Sequence, residues 1–563
     1  MTARNINARR LGALATVAAA AALTLPAAAS AAVTGTVNGN TATLTGDAAA
    51  DTIIISQDSG LLRHNLAGFN SATDFDSAAA GDQTLTTAAT LTINGGGGDD
   101  IIVGGPNADV INGDDGNDRM TGFTGNDDVN GGLGNDVMIW NNGDGSDTND
   151  GDAGADTSLI TGRNTTDDMT VANNGVGRQQ FTRAAPGGFT VDMGTVERLH
   201  LTPFAGDDKL VTQPDVTLPI TVEAGPGLDA ITTGAGVDLI EGGEDVDTLN
   251  GGPGGDRILG NPGNDIMNGN AGDDTLVWNN GDGTDDMNGE DGLDRIETNL
   301  GAADDISQMK VLNGKVRYDR INAPFGLNIA TSEVFELNTF GGADTLDVAP
   351  GLSALIAVTA DGGEGDDRFN GGDEADTFLG GLGNDTLDPG TGSDTANGQD
   401  GNDTLKLRDG VGDLAVGGTG TDSATVDSLD AVAADVEKVD RSKSGAKALK
   451  IYKKVKLDSR YRAYVKIACD DSAIEGCSGK LSLLAKAEIG GKKLEVLLAK
   501  ARYDLDPGKT EKVKVHIPKY VKKLVKKGKL KLKAQAVARN AAGDYTVASK
   551  YVTLEVDKSK KKK

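Results

Sequence analysis

The chain has 563 residues, of which 80 are glycine and only 4% are aromatic. Such a composition argues against one large interdigitated core and favours a repetitive structure in which each unit packs on its neighbours. The net charge of −30 is unevenly spread, because residues 441–563 carry 34 Lys and Arg against 12 Asp and Glu, a net of +22. The first 440 residues therefore carry a net of −52. A body that acidic repels itself on compaction unless it binds cations.

Residues 1–31 have the pattern of an export signal. Three arginines precede an apolar run at Leu11–Leu25, and an A-x-A cleavage site ends at Ala31. An N-terminal membrane anchor is the alternative, but the apolar run is short for a membrane span. We therefore expect a secreted, extracellular protein that works in a calcium-rich, oxidising space and has no membrane span in its mature form.

Sixteen contiguous nine-residue repeats dominate the acidic body. They form blocks of five, six and five nonads at residues 95–139, 224–277 and 362–406. Position 6 is Asp and position 8 is apolar in every nonad, and position 4 is Gly except at Asn107, Asp245 and Glu374. A disordered Gly/Asp-rich tract has no reason to keep position 8 apolar sixteen times. The pattern predicts one structural unit per nonad.

A longer sequence repeat contains the nonads. Trp140 and Trp278 are 138 residues apart, and so are Asp156 and Asp294. The body is therefore interpreted as one module used twice, with partial copies at each end. The segments between the blocks carry alternating apolar residues, which predict β-strands that continue the same stack or form hairpins beside it.

Each nonad divides into a glycine-rich turn and a short strand. Two nonads make one coil of eighteen residues, and adjacent coils of parallel strands lie about 4.8 Å apart. The apolar residue at position 8 is expected to point inward, and the position-6 aspartates are expected to line up as a ladder of like charges. Calcium takes six to eight hard oxygen ligands. Binding of Ca²⁺ between the coils would therefore turn this repulsion into attraction.

The nonad GGxGxDxUx, where U is a large apolar residue, resembles the RTX or hemolysin-type calcium-binding repeat, which forms a parallel β-roll. The resemblance covers roughly residues 95–425 and implies calcium between turns two nonads apart on the same side. It allows at most about ten complete sites. Because Asn and Asp tolerate left-handed backbone better than Glu, the Glu374 turn is expected to fit such a site least. The predicted metal ligands are Asp100, Asp109, Asp118, Asp127, Asp136, Asp229, Asp238, Asp247, Asp256, Asp265, Asp274, Asp367, Asp376, Asp385, Asp394 and Asp403.

The composition changes after about residue 440, where glycine becomes rarer and lysine more frequent. Alternation in stretches such as KLSLLAKAEI and KLKLKAQAVA predicts a small antiparallel β-sandwich. This part resembles the immunoglobulin-like sandwiches that end many secreted bacterial proteins. Cys469 and Cys477, the two cysteines of an exported chain, are expected to form a disulfide. No CxxC pair or histidine cluster in the sequence favours zinc instead.

The predicted fold class is all-β, a parallel β-roll or β-helix solenoid followed by a small antiparallel β-sandwich. The predicted parts are a signal peptide at 1–31, β-roll modules at 32–159, 160–297 and 298–440, a basic β-sandwich domain at 441–555, and a disordered lysine tail at 556–563.

Three functions are compatible with this organisation. A calcium-stabilised extracellular or cell-surface structural or interaction protein is the first. A secreted calcium-dependent carbohydrate-active enzyme is the second, although the sequence has no HExxH or GxSxG motif. An RTX toxin-like protein is the third, but apolar or amphipathic membrane segments are missing from the sequence. We therefore predict a protein that is not an enzyme. The basic domain is predicted to bind an anionic cell-wall polymer or surface, with nucleic acid a less favoured partner, while a solvated face or pairing with the acidic body stays open.

Overall fold

The computed structural model describes residues 33–440 except 79–82, 176, 185–186, 203–204, 350–351, 353–355 and 428, and beyond them 449–451, 454–457, 462–469, 477–489, 492–505, 509–517, 530–539 and 545–556. The predicted signal peptide and residues 557–563 of the lysine tail lie outside these residues. Two compact units are formed. One consists of the chain up to Ser158 together with Thr190–Glu197, and the other of Leu159–Phe189 together with the chain from Arg198 onward.

Every helix or strand element among the described residues is a β-strand, so the described structure is all-β. The first sixteen are β1 Thr34–Asn38, β2 Thr41–Thr45, β3 Thr52–Asp58, β4 Leu61–His64, β5 Thr90–Gly97, β6 Ile101–Val103, β7 Val110–Asp115, β8 Arg119–Thr121, β9 Asp128–Leu133, β10 Val137–Trp140, β11 Asp147–Ala153, β12 Thr157–Thr161, β13 Asp168–Asn173, β14 Gln179–Arg183, β15 Phe189–Gly194 and β16 Arg198–Thr202. The next sixteen are β17 Lys209–Thr212, β18 Ile220–Glu223, β19 Ala230–Thr232, β20 Leu239–Glu241, β21 Thr248–Pro253, β22 Arg257–Leu259, β23 Ile266–Ala271, β24 Thr275–Asn279, β25 Asp286–Asp291, β26 Arg295–Asn299, β27 Ile306–Leu312, β28 Lys315–Arg320, β29 Phe325–Ala330, β30 Val334–Asn338, β31 Thr345–Val348 and β32 Ala357–Asp361.

The remaining strands complete the solenoid and form the C-terminal domain. The solenoid strands are β33 Arg368–Asn370, β34 Thr377–Leu382, β35 Thr386–Asp388, β36 Thr395–Gly401, β37 Thr404–Lys406, β38 Leu414–Gly420, β39 Ser423–Thr425, β40 Ala431–Val432 and β41 Lys438–Asp440. The C-terminal strands are β42 Leu449–Ile451, β43 Lys454–Leu457, β44 Arg462–Cys469, β45 Cys477–Ile489, β46 Lys492–Leu505, β47 Thr510–His516, β48 Leu530–Arg539 and β49 Tyr545–Val556.

The nonads coil as predicted. In the first block, successive nonads alternate between two parallel sheets, so that β5, β7 and β9 form one sheet and β6, β8 and β10 the other. The register advances by one coil of eighteen residues, since Ile93 lies beside Ile111 and Ile111 beside Val129. The same spacing pairs β19 with β21 and β20 with β22 in the second block. The prediction of a parallel β-solenoid is confirmed.

The core of the solenoid is built from one apolar side chain per nonad. Because side chains alternate across a strand, the residue at position 8 points inward while its two neighbours point out. This prediction is also confirmed. The buried position-8 residues are Ile102, Ile111, Met120, Val129, Met138, Ile231, Ile240, Leu249, Ile258, Met267, Leu276, Phe369, Phe378, Leu387, Ala396 and Leu405.

The segments between the blocks show both arrangements that the sequence allowed, continuation of the stack and hairpins beside it. Some strands continue the stack, as β17 does by pairing in parallel with β13 on one side and β19 on the other. Others fold beside it, as the antiparallel hairpin of β13 and β14 and the antiparallel run β27–β28–β29 do. The two tryptophans occupy equivalent turns, with Trp140 Nε1 donating to the Gly145 carbonyl at 2.9 Å and Trp278 Nε1 to that of Gly283 at 3.0 Å.

The C-terminal strands form one eight-stranded sheet, in which only the pair β43–β49 is parallel. The predicted small antiparallel β-domain is therefore present, while its immunoglobulin-like character stays a prediction. The side chains of Cys469 and Cys477 lie outside the described part, so their disulfide also stays a prediction. Among the described residues, no helix is both long and apolar enough to span a membrane. The core of this domain consists of Ile451, Ala463, Val465, Ile467, Leu481, Leu483, Tyr503, Leu505, Val513, Val515, Ile517, Leu532, Ala534, Ala536 and Val552.

Candidate calcium sites

Each nonad turn brings the backbones of neighbouring coils into close contact. A Cβ atom on Gly116, at position 4, would lie 1.9 Å from the carbonyl oxygen of Gly98 one coil earlier. This contact excludes any larger residue from that turn. Of the three residues that replace this glycine elsewhere, Asp245 adopts a left-handed backbone with φ of 84°, whereas Asn107 and Glu374 do not. A left-handed backbone is not required at every position 4, since Gly125 and Gly392 lack it as well.

The position-6 aspartates form buried ladders. Oδ1 of each accepts a hydrogen bond from a backbone amide of the preceding coil, so that the Asp100 amide donates to Asp118 at 2.7 Å and the Asp118 amide to Asp136 at 2.7 Å. Every one of the sixteen is at most 3% exposed. The ladder members predicted from the sequence are Asp100, Asp109, Asp118, Asp127, Asp136, Asp229, Asp238, Asp247, Asp256, Asp265, Asp274, Asp367, Asp376, Asp385, Asp394 and Asp403.

The second carboxylate oxygen is what makes these ladders candidate metal sites. Oδ2 is buried and has no hydrogen-bond partner in all of the predicted ligands except Asp109 and Asp376. In those two, Oδ2 accepts from an amide of its own turn, that of Gly105 at 2.7 Å and that of Gly372 at 2.9 Å. They belong to the same two nonads in which Asn107 and Glu374 replace glycine. A buried hydrogen-bond acceptor without a partner costs free energy. The Oδ2 atoms of the other predicted ligands therefore favour a bound ligand that is not part of the protein.

Backbone carbonyls converge on the free oxygens. A Cβ atom on Gly113 would lie 2.3 Å from Oδ2 of Asp118 and 2.4 Å from the carbonyl oxygen of Gly131 in the next coil. A Cβ atom on Gly95 would likewise lie 2.3 Å from Oδ2 of Asp100 and 2.6 Å from the carbonyl oxygen of Gly113. Glycine at position 1 therefore leaves open a space bounded by carboxylate and carbonyl oxygens. This hard, all-oxygen donor set suits calcium.

The electrostatics of the ladder also favour a cation. Burial, together with the neighbouring carboxylates of Asp100 and Asp136, raises the pKa of Asp118 to about 7. Burial, together with Asp238 and Asp274, likewise raises the pKa of Asp256 to about 8. Ionised carboxylates stacked in a dry turn are unfavourable, and a divalent cation between the coils removes this repulsion.

The ladders extend beyond the nonads into coils that sequence reasoning missed. Their Oδ1 atoms accept the same amide bonds, as when the Asp136 amide donates to Asp156 at 2.8 Å and the Asp274 amide to Asp294 at 2.9 Å. The 138-residue correspondence of Asp156 and Asp294 was the signal that pointed to them. Glutamates end three ladders, at Glu197, Glu333 and Glu437. The additional aspartates that accept such a bond are Asp147, Asp156, Asp208, Asp285, Asp294, Asp344, Asp413, Asp422 and Asp430. The buried aspartates Asp51, Asp167 and Asp305 each begin a ladder and donate their own amide to the next one.

Arginine contacts Oδ1 at two of these additional positions, Asp167 and Asp305, while Oδ2 of Asp305 has no hydrogen-bond partner. Nη2 of Arg163 lies 2.7 Å from Oδ1 of Asp167, and Nε of Arg183 lies 3.7 Å from the same oxygen. Nε of Arg320 lies 2.5 Å from Oδ1 of Asp305. Arg183 and Arg320 end the equivalent strands β14 and β28 of the two modules. A guanidinium here supplies the positive charge that the nonad turns lack.

A model of the RTX calcium-binding nonapeptide repeat matches the chain in five stretches, at residues 92–111, 103–138, 221–249, 241–276 and 359–387. A comparison with curated proteins finds no match. The matched stretches cover the first two nonad blocks and the first part of the third. In these blocks a buried Oδ2 atom without a partner recurs in every nonad turn except those of Asp109 and Asp376. The chain therefore contains RTX calcium-binding nonapeptide repeats, and these form part of a parallel β-solenoid.

Proposed function

We propose that calcium folds and stiffens the acidic solenoid outside the cell, and that the protein acts there as a structural or interaction protein rather than as an enzyme. The observation that carries this proposal is the row of buried Oδ2 atoms without partners along the turns. A scaffold whose own atoms leave so many acceptors open depends on a ligand for its stability. Calcium is the ligand that the repeats bind.

Binding and folding are expected to be one event. Each nonad buries a single large apolar side chain, which is little compensation for ordering nine residues. The ligands come from adjacent coils, as with Asp100 and Asp118, so a site exists only when both coils are formed. Metal-binding free energy is then folding free energy.

The extracellular setting is supported by the same dependence. The first 31 residues have the pattern of an export signal. A solenoid that needs calcium at a concentration typical of extracellular modules, on the order of 0.1–1 mM, stays unfolded in a calcium-poor cytosol and folds after export. Secretion and folding would thus be ordered in time by the calcium gradient.

The test is circular dichroism of the full chain in chelator and at rising calcium. We expect a coil-like spectrum in chelator and a β-rich one at millimolar calcium, with a cooperative transition. Magnesium should substitute poorly, because it is smaller and gives up its waters reluctantly. A solenoid that is equally folded in excess chelator would overturn the proposal.

The C-terminal domain is proposed to hold the protein on an anionic cell-wall polymer. On β47, Lys512 and Lys514 are exposed, while Val513 and Val515, which alternate with them, are buried. Lys466 of β44 lies directly opposite Lys512. Like charges opposite one another are unfavourable, and an anionic polymer lying across these strands would relieve the repulsion.

This binding is tested with the full chain in calcium and a teichoic-acid-like polymer. Because exposed charges are screened over about 8 Å at physiological ionic strength, binding should weaken steeply with salt. The double variant Lys512→Gln/Lys514→Gln should weaken it, while a Lys509→Gln variant outside the strand should have less effect. Absence of binding at low salt would leave the lysines as a solvated face or as partners of the acidic solenoid.

A further inference from the structure

Three buried carboxylates meet at the C-terminal end of the third block, beyond residue 387, where the repeat-model match stops. One oxygen from each of Asp394, Asp409 and Asp413 lies within 4.8 Å of the other two. Their exposed fractions are 3%, 2% and 5%. Only Asp394 belongs to a nonad, so this cluster differs in composition from the turns described above.

The third carboxylate enters because this coil departs from the repeat. Nineteen residues separate Asp394 from Asp413, one more than in a regular coil, yet the Asp394 amide still donates to Oδ1 of Asp413 at 2.9 Å. Asp409 lies in the longer turn. Its Oδ1 accepts from the Val411 amide at 2.7 Å and its Oδ2 from the Gly392 amide of the preceding coil at 3.1 Å. The side chain of Asp409 is therefore fixed by two coils.

Two carboxylate oxygens of the cluster are buried and have no hydrogen-bond partner in the protein. Oδ2 of Asp394 and Oδ2 of Asp413 are buried and accept no hydrogen bond. The adjacent Arg408 is directed elsewhere, since its guanidinium donates to the carbonyls of Val426 and Asp440 at 3.0 and 2.6 Å. Within the described part of the chain, neither lysine nor arginine forms an ion pair with these three carboxylates, in contrast to Asp167 and Asp305.

Further carboxylates close to the cluster add negative charge. The Asp413 amide donates to Oδ1 of Asp430 at 3.2 Å, and the Gly410 amide donates to Oδ2 of Asp427 at 2.7 Å. Burying several carboxylates together is strongly unfavourable unless a cation pairs with them. Three carboxylate oxygens within 4.8 Å of one another can bind one calcium ion, which takes hard oxygen ligands at about 2.3–2.6 Å.

We propose that Asp394, Asp409 and Asp413 bind one calcium ion as a three-carboxylate site, and that this site fills at lower calcium concentration than the nonad turns. Calcium affinity rises with the number of charged ligands and with the rigidity of the site. The three side chains provide one charge more than two successive ladder aspartates do. They are also held by backbone amides from consecutive coils. The site rests on calcium binding by the solenoid and is independent of where the protein acts.

The experiment compares the full chain with Asp409→Asn. Asparagine keeps an oxygen that can accept one of the two amide bonds but removes the charge. Asp400→Asn is the matched control, since Asp400 lies in the same coil, is exposed, and accepts from the Thr419 hydroxyl at 2.7 Å. Calcium bound per chain is measured by equilibrium dialysis at a series of free calcium concentrations. We expect the wild type and D400N to share a first, tight ion, whose half-saturation concentration rises roughly tenfold or more in D409N.

Each outcome of this experiment either supports or overturns the three-carboxylate site. If D409N binds its first ion with the same half-saturation concentration as D400N, the site is overturned. If D409N does not reach the wild-type circular dichroism spectrum in saturating calcium, D413N replaces it, because its remaining oxygen still accepts the Asp394 amide, and it must show the same loss. A wild-type chain that binds no calcium would overturn both this site and the proposed function. Normal calcium-driven folding with an unchanged D409N would overturn this site alone.

Discussion

The buried ladder aspartates have different partners in the nonad turns and in the turns beside the two hairpins. In a nonad turn such as that of Asp118, one carboxylate oxygen accepts an amide of the previous coil and the other is left without a partner. At Asp167 and Asp305, an arginine contacts Oδ1, the oxygen that accepts the amide in a nonad turn, although Oδ2 of Asp305 also has no partner. The ladder thus needs positive charge, and in the described part of the chain arginine brings it to these two coils between the blocks.

The difference divides the solenoid into calcium-dependent and calcium-independent parts. An internal guanidinium is always present and always charged, whereas calcium is present only at sufficient concentration. Coils with arginine are therefore expected to be stable first and to offer edges on which the nonads stack. Folding of stacked repeats from such nuclei is typical of solenoids, in which each unit contacts only its neighbours.

Calcium removal should show the largest effect. Hydrogen exchange of the full chain in chelator should reveal almost complete loss of protection in the nonads at 224–277. Strands β27 and β28, beside Arg320 and Asp305, should keep protection at least about tenfold higher, because local stability varies along a chain with its local interactions. Uniform loss of protection in both regions would show that the arginines do not act as substitutes for calcium.

Removing two rungs of one ladder should nearly abolish the middle block. In Asp247→Ala/Asp265→Ala, the amides of Asp229 and Asp247 lose their acceptors and two calcium turns on one side lose their carboxylates. We expect a loss of roughly 3–5 kcal/mol in the free energy of unfolding in calcium, as when one partner of a buried ionic contact is removed. Glu244→Ala, an exposed residue of the same block, is the control in the thermal melt. An unchanged melting temperature in the double variant would contradict the ladder's role.

Replacing Arg320 should make the coil that contains Asp305 dependent on calcium, as the nonad turns are expected to be. In Arg320→Met, the carboxylate of Asp305, which is 1% exposed, loses its buried cation. We expect a destabilisation of roughly 3–5 kcal/mol, and the protection of β27 and β28 should now depend on calcium. Arg317→Met on the same strand removes a more exposed pair with Asp319 and should cost less than about 1 kcal/mol. Equal effects of the two variants would argue against a special role for Arg320.

Much of this arrangement could be predicted from the sequence, and the rest depends on three-dimensional contacts that carry no local pattern. The constant Asp at position 6 and the apolar residue at position 8 predicted the coil, its core and its ladder. The pairing of Arg320 with Asp305 bridges fifteen residues across a run of antiparallel strands that has no nonad period, so nothing nearby in the sequence indicated it. Asp409 was missed for a related reason, since it lies in a turn lengthened by one residue.

pH should have a smaller effect, with opposite sign in chelator and in calcium. Burial raises the pKa of Asp118 to about 7 and that of Asp265 to about 6, above their values in an unfolded chain. A raised pKa means that the protonated form contributes stability below about pH 4 and that this contribution is lost as the pH rises through about 6–7. In chelator the nonads should therefore be more structured at pH 5 than at pH 8. In calcium the order should reverse, because protons compete with the ion for the same oxygens. Circular dichroism at both pH values checks this, and a chelated solenoid that is more structured at pH 8 would contradict it.

The smallest expected effect distinguishes two kinds of turn inside the same block. Oδ2 of Asp118 has no partner, whereas Oδ2 of Asp109 accepts from the Gly105 amide at 2.7 Å. Asp118→Asn should therefore raise the calcium concentration needed to fold the block, since a charged ligand is lost. Asp109→Asn should leave that concentration nearly unchanged and lower the free energy of unfolding in saturating calcium by about 1 kcal/mol, the value of one hydrogen bond. Calcium titrations followed by circular dichroism, with thermal melts in saturating calcium, measure both quantities. If both variants shift the calcium midpoint equally, then Asp109 binds calcium too, and its bond to the Gly105 amide must open when the ion enters.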